Sequence, residues 1–330
     1  MQYTIHMSEL APNTASDKDD LQGRQYITQL FAPDSGITYS RVLDTRGYKQ
    51  EGPEVFEVGI AKNATPTNLG EWPENETLGI PSTPGEWVIP PERETSMAAK
   101  ILSRSYQLIG EERKALLLAT SRFPSEASCR PIQIHAYGIG SITHNTLGSN
   151  HEVAYLLLEL IGKEYRPLHE HLNEHQPTAK SMTHMAINIC SMLRELHHLG
   201  VGHGDLESSI GDKSGKEAHI FVDDKSGHIR VIDWSHSISR DRDSKRFGLV
   251  TDFDHMGVGQ LLQYANFSDE SSEVQAQLKK ILELSKVVDL EESSIADVDS
   301  SPAYERSAEG TDEQYTDLRT LLTMLDGSPS

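Results

Sequence analysis

The chain has 330 residues, of which 36% are apolar and 24% charged, with a formal net charge of -20. That length can bury a sizeable core in one large or two smaller domains. The acidic balance argues against a phosphate-binding nucleic-acid face and disfavours an anionic membrane surface, and no apolar run approaches the roughly 18 residues of a membrane span. Cys129 and Cys190 are the only cysteines, too few for a disulfide framework. Met1 to Asp20 lacks a basic region followed by an apolar stretch, so a reducing, cytoplasmic or nuclear setting is expected.

Residues 1–24 are polar and patternless and read as a flexible arm. Short alternating runs follow at Tyr26–Leu30, Ile37–Leu43 and Val55–Lys62, separated by Gly and Pro as in a small antiparallel sheet. Residues 63–95 hold six prolines and read as an insertion. Helical spacing runs from Ser96 to about Ser121, and strand-like runs follow at Pro131–Tyr137 and Val153–Leu160. Beyond Gly162 the character is helical. Ala179–His198 sets Met182, Met185, Ile189, Met192, Leu193 and Leu196 on one face. His219–Asp223 and His228–Ile232 flank a turn, Asp224–Gly227, as a hairpin. Further helices are expected near Asp254–Tyr264 and Glu273–Val288. Lys286 to Arg319 carries ten acidic residues against three basic ones, read as a solvated segment that leads into a short helix, Asp312–Leu325.

The chemistry-bearing residues are His203-Gly204-Asp205-Leu206, entered from the long helix, and Val231-Ile232-Asp233-Trp234, which closes the hairpin. Together they resemble the catalytic loop and metal-binding strand end of the protein-kinase-like superfamily. The Gly before Asp is nearer to aminoglycoside and choline phosphotransferases, and to fungal kinase-like proteins, than to ordinary protein kinases. The resemblance implies an α+β, two-lobed fold, with a small antiparallel-sheet lobe over 25–161 and a helical lobe over 162–290. An acidic tail with a short terminal helix, 291–330, would follow. It implies ATP and magnesium as cofactors and a hydroxyl acceptor, with a small molecule favoured over a protein.

Phosphoryl transfer needs a carboxylate that accepts the hydroxyl proton and a second one that holds magnesium. The resemblance gives these roles to Asp205 and Asp233. Val58-Gly59-Ile60-Ala61-Lys62 resembles the strand whose lysine meets the nucleotide phosphates, with Glu112 as its anchoring partner. Tyr155–Gly162, with Glu159 and Ile161, resembles the strand and hinge that hold adenine. Asp252 matches a residue that buttresses the catalytic loop. Only 19 positions separate Asp233 from Asp252, which leaves no room for a long activation segment.

Two departures point the other way. No Gly-rich loop precedes Lys62, and the turn Pro33–Gly36 holds one glycine. The magnesium-binding Asn expected five residues after Asp205 is Ile210, and Glu207 adds negative charge. If 207–217 are an insertion, His219 takes the Asn position, although imidazole is a poor ligand for magnesium. These departures support an alternative, a pseudokinase serving as a binding or regulatory module. The other histidines, including His169, His171, His175, His197 and His198, show no compact ligand spacing, so no transition-metal site is expected from the sequence.

Overall fold

The structure is a computed structural model that describes residues 17–44, 54–69, 83–103, 106–143, 150–206, 219–284 and 307–327. Expectations that rest on residues 1–16, on 70–82, on Glu207, Ile210 and the loop around them, and on 291–306 lie outside the described residues. Among the described residues the fold is mixed α+β, with a five-stranded antiparallel sheet and seven helices. The chain divides into two compact units, Met1–Ser125 with Pro131–Lys163, and Glu126–Arg130 with Glu164–Ser330.

The first unit begins with α1 (Asp17–Leu30), β1 (Ile37–Asp44), β2 (Glu54–Ile60), β3 (Thr95–Ser103) and α2 (Tyr106–Arg122). After β4 (Cys129–Pro131), which belongs to the other sheet, come β5 (Ile134–Thr143) and β6 (Asn150–Glu159). The strand order is β1-β2-β3-β6-β5, so β3 sits in the middle of the sheet. Alternation decides which side chains face α1. Phe56, Val58 and Ile60 of β2, Met97, Ala99 and Ile101 of β3, and Tyr155 and Leu157 of β6 form one buried cluster with Tyr26, Ile27, Leu30 and Phe31. Phe31 meets Tyr155 edge-on, with centroids 4.9 Å apart, a geometry that adds about 0.5–1.5 kcal/mol beyond area burial.

Two segments differ from the sequence expectation here. Tyr26–Leu30 is helical rather than a strand, because Tyr26, Ile27, Leu30 and Phe31 recur at helix spacing and cover the sheet as one face. Residues 95–103 are a strand rather than the start of a helix. Met97-Ala98-Ala99-Lys100 has good helix formers, but pairing to β2 and β6 on both sides overrides that preference. The Pro-rich stretch is pinned where it is described. Trp87 Nε1 donates to Ala64 O at 2.8 Å, and the Tyr155 hydroxyl donates to Thr67 O at 2.5 Å.

The second unit runs through β7 (Tyr165–Pro167), α3 (Leu168–His175), α4 (Ala179–His198), β8 (Val201–Gly202), β9 (Ile220–Asp223), β10 (Ile229–Val231) and β11 (Ile238–Ser239). It ends with α5 (Ser244–Leu261), α6 (Ser272–Leu284) and α7 (Ser307–Gly327). Thr178 caps α4 by accepting from Ser181 N at 3.1 Å, and Met182, Ile189, Met192, Leu193 and Leu196 are buried along one face. The hairpin β9–β10 pairs Val222 with Ile229 and Ile220 with Val231. Helix α5 starts ten residues before the expected Asp254, because Asp243 caps it by accepting from Arg246 N at 3.0 Å. The expected short terminal helix is 21 residues long, and Thr311, Leu318 and Leu321 are fully buried in the helical core.

Candidate active site

Helix α4 delivers the chain through β8 into His203-Gly204-Asp205, and β8 pairs with β11, matching Gly202 to Ile238. Gly204 has φ +85, and a Cβ there would lie 2.9 Å from His236 O, so only glycine fits this turn. Asp205 is nearly buried, at 8% exposure. Its Oδ2 accepts from His236 Nδ1 at 3.0 Å and lies 3.5 Å from His219 Nδ1.

His203 joins this loop to the end of the hairpin. Its Nε2 meets Ile232 O at 3.0 Å, and a carbonyl only accepts, so Nε2 carries the proton. That leaves Nδ1 as the acceptor for Asp205 N at 3.2 Å. The imidazole is thus neutral, and burial pushes its pKa down, with Asp254 opposing. One ring therefore ties the backbone of Asp205 to the peptide that precedes Asp233. Asp233 itself is 2% exposed and holds a left-handed backbone, φ 54 and ψ 73. A non-glycine residue in that region is strained, and such strain gathers at functional sites. His219 is buried where β9 begins, and its carbonyl accepts from Ile232 N at 2.8 Å.

The loop rests on Asp254, not on Asp252. Asp254 Oδ2 accepts from His203 N at 2.8 Å and Oδ1 accepts from Gly204 N at 2.9 Å. Asp252 sits on the outer side of α5 with a side chain 42% exposed. The two differ by half a helical turn, and the sequence alone did not say which faces inward. Behind Asp254 runs a buried chain of hydrogen bonds. His197 Nε2 donates to Asp254 Oδ2 at 2.9 Å, so its Nδ1 accepts from the Thr311 hydroxyl at 2.7 Å. Thr311 Oγ in turn accepts from His255 Nε2 at 2.6 Å. Burial pushes the pKa of His255 down to about 3, helped by the neighbouring His197.

In the first unit the carboxylate expected to anchor a lysine does so, but with a different lysine. Glu112 accepts from Lys100 Nζ at 2.7 and 2.9 Å, and both side chains are buried. Lys100 lies between Ala99 and Ile101, so strand alternation turns it away from the α1 face. Lys62 follows the end of β2 in a turn and is exposed, so the Lys62–Glu112 pair is corrected to Lys100–Glu112. The miss follows from reading β3 as helix. The signal was present in Ala98-Ala99-Lys100-Ile101, only 12 positions before Glu112. Glu159 ends β6, where its backbone N donates to Gln133 O at 2.9 Å and its Oε2 accepts from Gln133 N at 3.1 Å. Ile161 is buried just beyond the strand.

Pro33–Gly36 joins α1 to β1 rather than two strands, so it is not the position of a phosphate loop. The connection between β1 and β2, residues 45–53, lies outside the described residues. His203, His236, Asp254, Lys100 and the His197–Thr311–His255 chain were not picked out from the sequence. His203 stands inside the loop that the sequence singles out, but its tautomer and hydrogen-bond partners are matters of three-dimensional contact. No protein-family model matches the chain, and no significantly similar curated protein is found.

Proposed function

We propose that this chain is a kinase-like phosphotransferase that moves the γ-phosphoryl group of ATP to a hydroxyl acceptor. The observation that carries the reading is the buried Lys100–Glu112 pair, bridging the central strand of an antiparallel sheet and the helix after it. A lysine aimed at phosphates needs a carboxylate to hold it, and two fully buried ionised groups are costly without such a use. The strand order, with the helix inserted between β3 and the last pair, also suits the smaller lobe of a kinase-like fold.

In this reading Asp205 accepts the hydroxyl proton as the acceptor oxygen bonds to the γ-phosphorus and the bond to the ADP oxygen breaks. Lys100 neutralises phosphate charge. Asp233, a buried carboxylate at a strained strand end, suits a hard cation, whereas the His219 imidazole does not. Magnesium, when bound, neutralises charge that develops on the phosphate oxygens. Glu159 and Ile161 remain the adenine-side residues of this proposal, and a small-molecule acceptor is favoured.

A second reading, a pseudokinase that binds partners without turnover, draws on one specific observation. The carboxylate assigned to the acceptor is already engaged by His236 and lies 3.5 Å from His219. Calorimetry of ATP binding with and without magnesium, together with ADP release in the presence of candidate alcohols, separates the two. For an enzyme, Asp233→Ala weakens magnesium-dependent ATP binding, and Asp205→Asn abolishes turnover with affinity nearly intact. Binding without turnover in the wild type would favour the pseudokinase. Failure to bind magnesium-ATP at millimolar concentration would sink the phosphotransferase reading and leave only a partner-binding module.

A further inference from the structure

The short helix α3 ends in two histidines one turn apart, His171 and His175, and the β9–β10 turn brings Asp224 against them. One donor atom from each of the three lies within 4.8 Å of the others. From these residues we propose a second site, independent of the phosphotransferase reading, that binds a borderline transition-metal cation of the zinc or nickel type.

Three features of the arrangement carry this. The first is chelate geometry. Residues four apart on a helix stack on one face, and the rings of His171 and His175 do so, with centroids 4.5 Å apart and planes 25° from parallel. The second is the tautomers. His175 Nδ1 lies 2.9 Å from His171 O, so it must donate, and its Nε2 keeps the lone pair that a metal takes. His171 Nδ1 and Asp224 Oδ1 are 2.9 Å apart and share one proton. Two ligand atoms on one tetrahedral ion with bonds of about 2.1 Å sit about 3.4 Å apart. A cation can therefore replace that shared proton after a small side-chain rotation, with the ring proton of His171 moving from Nδ1 to Nε2.

The third feature is that the parts are held before any ion arrives. Asp223 Oδ1 accepts from Lys225 N at 2.9 Å, which fixes the tight turn bearing Asp224. Gly227, at φ +69, closes that turn. On the other side, Gln176 stops α3 directly after His175 in a left-handed conformation, φ 41, with its N donating to Leu172 O. Arg166 Nε pairs with Asp224 Oδ2, which orients the carboxylate but leaves Oδ1 turned to His171. Two imidazoles and one carboxylate select zinc, nickel, cobalt or copper over magnesium or calcium, whose ligands are oxygens. Nothing about the sequence spacing announces the site, since Asp224 is 53 positions from His171.

The test is calorimetric titration of the full chain with Zn2+ alone and with Ni2+ alone. We expect one ion per chain, and a rise in the unfolding temperature with Zn2+. His175→Ala and Asp224→Asn should each lower affinity by about 10-fold or more, the scale seen when a metal's inner or outer shell is disturbed. His175 is exposed, so its alanine variant should keep the wild-type circular dichroism. His198→Ala removes an imidazole near Asp312 elsewhere on the surface and should leave the affinity unchanged. Equal loss from His198→Ala, or unchanged affinity in the folded His175→Ala and Asp224→Asn variants, would overturn the proposal. So would the absence of Zn2+ binding by the wild type. Magnesium-ATP binding is read separately, so either proposal can fail alone.

Discussion

The two units hold their chemistry-bearing residues in opposite ways. In the first, a lysine and a glutamate 12 positions apart meet directly as ions, both fully buried. In the second, Asp254 is the one carboxylate at the centre of a chain of imidazoles, a hydroxyl and backbone amides that spans from His197 to Thr311, 114 positions. An ion pair is strong where water is excluded, but it fails outright if either partner goes. Neutral donors gathered round one carboxylate spread the same task over several bonds, worth about 1 kcal/mol net between neutral groups and about 1.5–3 kcal/mol to the carboxylate. The first unit should thus break at a single residue, and the second should loosen by degrees.

The largest expected effect follows from the ion pair. Lys100→Met keeps the aliphatic stem but strands the Glu112 carboxylate in the core, and removing one partner of a buried pair costs about 3–5 kcal/mol. The double variant Lys100→Met/Glu112→Leu should recover most of that loss, because neither charge of the pair is then left buried without the other. Chemical denaturation of the three proteins checks this, and a double variant no more stable than the single one would contradict the ion-pair account. In the phosphotransferase reading, both variants lose ATP affinity even though only one loses stability.

A smaller effect is expected where the hydrogen-bond chain crosses to α7. Thr311→Val is nearly isosteric but leaves the His255 N–H and the His197 Nδ1 without the hydroxyl between them. Stranded buried polar groups cost about 1–3 kcal/mol each, and relaxation of the two rings should keep the total near the lower end. Thr311→Ser should be close to neutral, since it keeps the hydroxyl. A Val variant as stable as the Ser variant would show that the chain does not bear on stability.

How much of this was legible in the sequence depends on the range of the interaction. The helix Ala179–His198 and the β9–β10 hairpin were readable because periodicity and turn chemistry are local. Glu112, Asp205 and Asp233 stood out by resemblance rather than by periodicity, and all three side chains are buried. Lys100 was lost because alanine-rich β3 has local helix preference, and its identity as a central strand depends on neighbours at Phe56 and Leu156. The choice between Asp252 and Asp254 needed the inward face of α5, which Asp243 sets by capping the helix ten positions upstream. The role of Thr311 was hidden in a stretch whose acidic composition suggested a solvated tail. Contact with His197 and His255 shows that the part of it from Ser307 onward completes the core.

The most gradual effect is in pH, and it arises from buried imidazoles of the second unit. His203 and His255 are buried as neutral rings, and both have pKa values pushed below the ordinary value, His255 to about 3. In the unfolded chain each takes up a proton below about pH 6.5. As pH falls from there the unfolded state binds more protons than the folded one, so stability declines, and for His255 the decline ends near pH 3. Each ring contributes at most about 1.4 kcal/mol per pH unit within its window. His255→Gln keeps an N–H donor for Thr311 but cannot be protonated, so it should flatten the curve between pH 6 and pH 4 while leaving stability at pH 7.5 within about 1 kcal/mol of wild type. Urea midpoints at pH 7.5, 6 and 4.5 measure this directly. If the variant and the wild type lose stability in parallel, His255 is protonated in the folded state and the neutral chain through Thr311 is wrong. If the variant declines less steeply than the wild type, His255 sets part of the sensitivity to acid, and the slope that remains includes that of His203, the imidazole that braces the Asp205 loop.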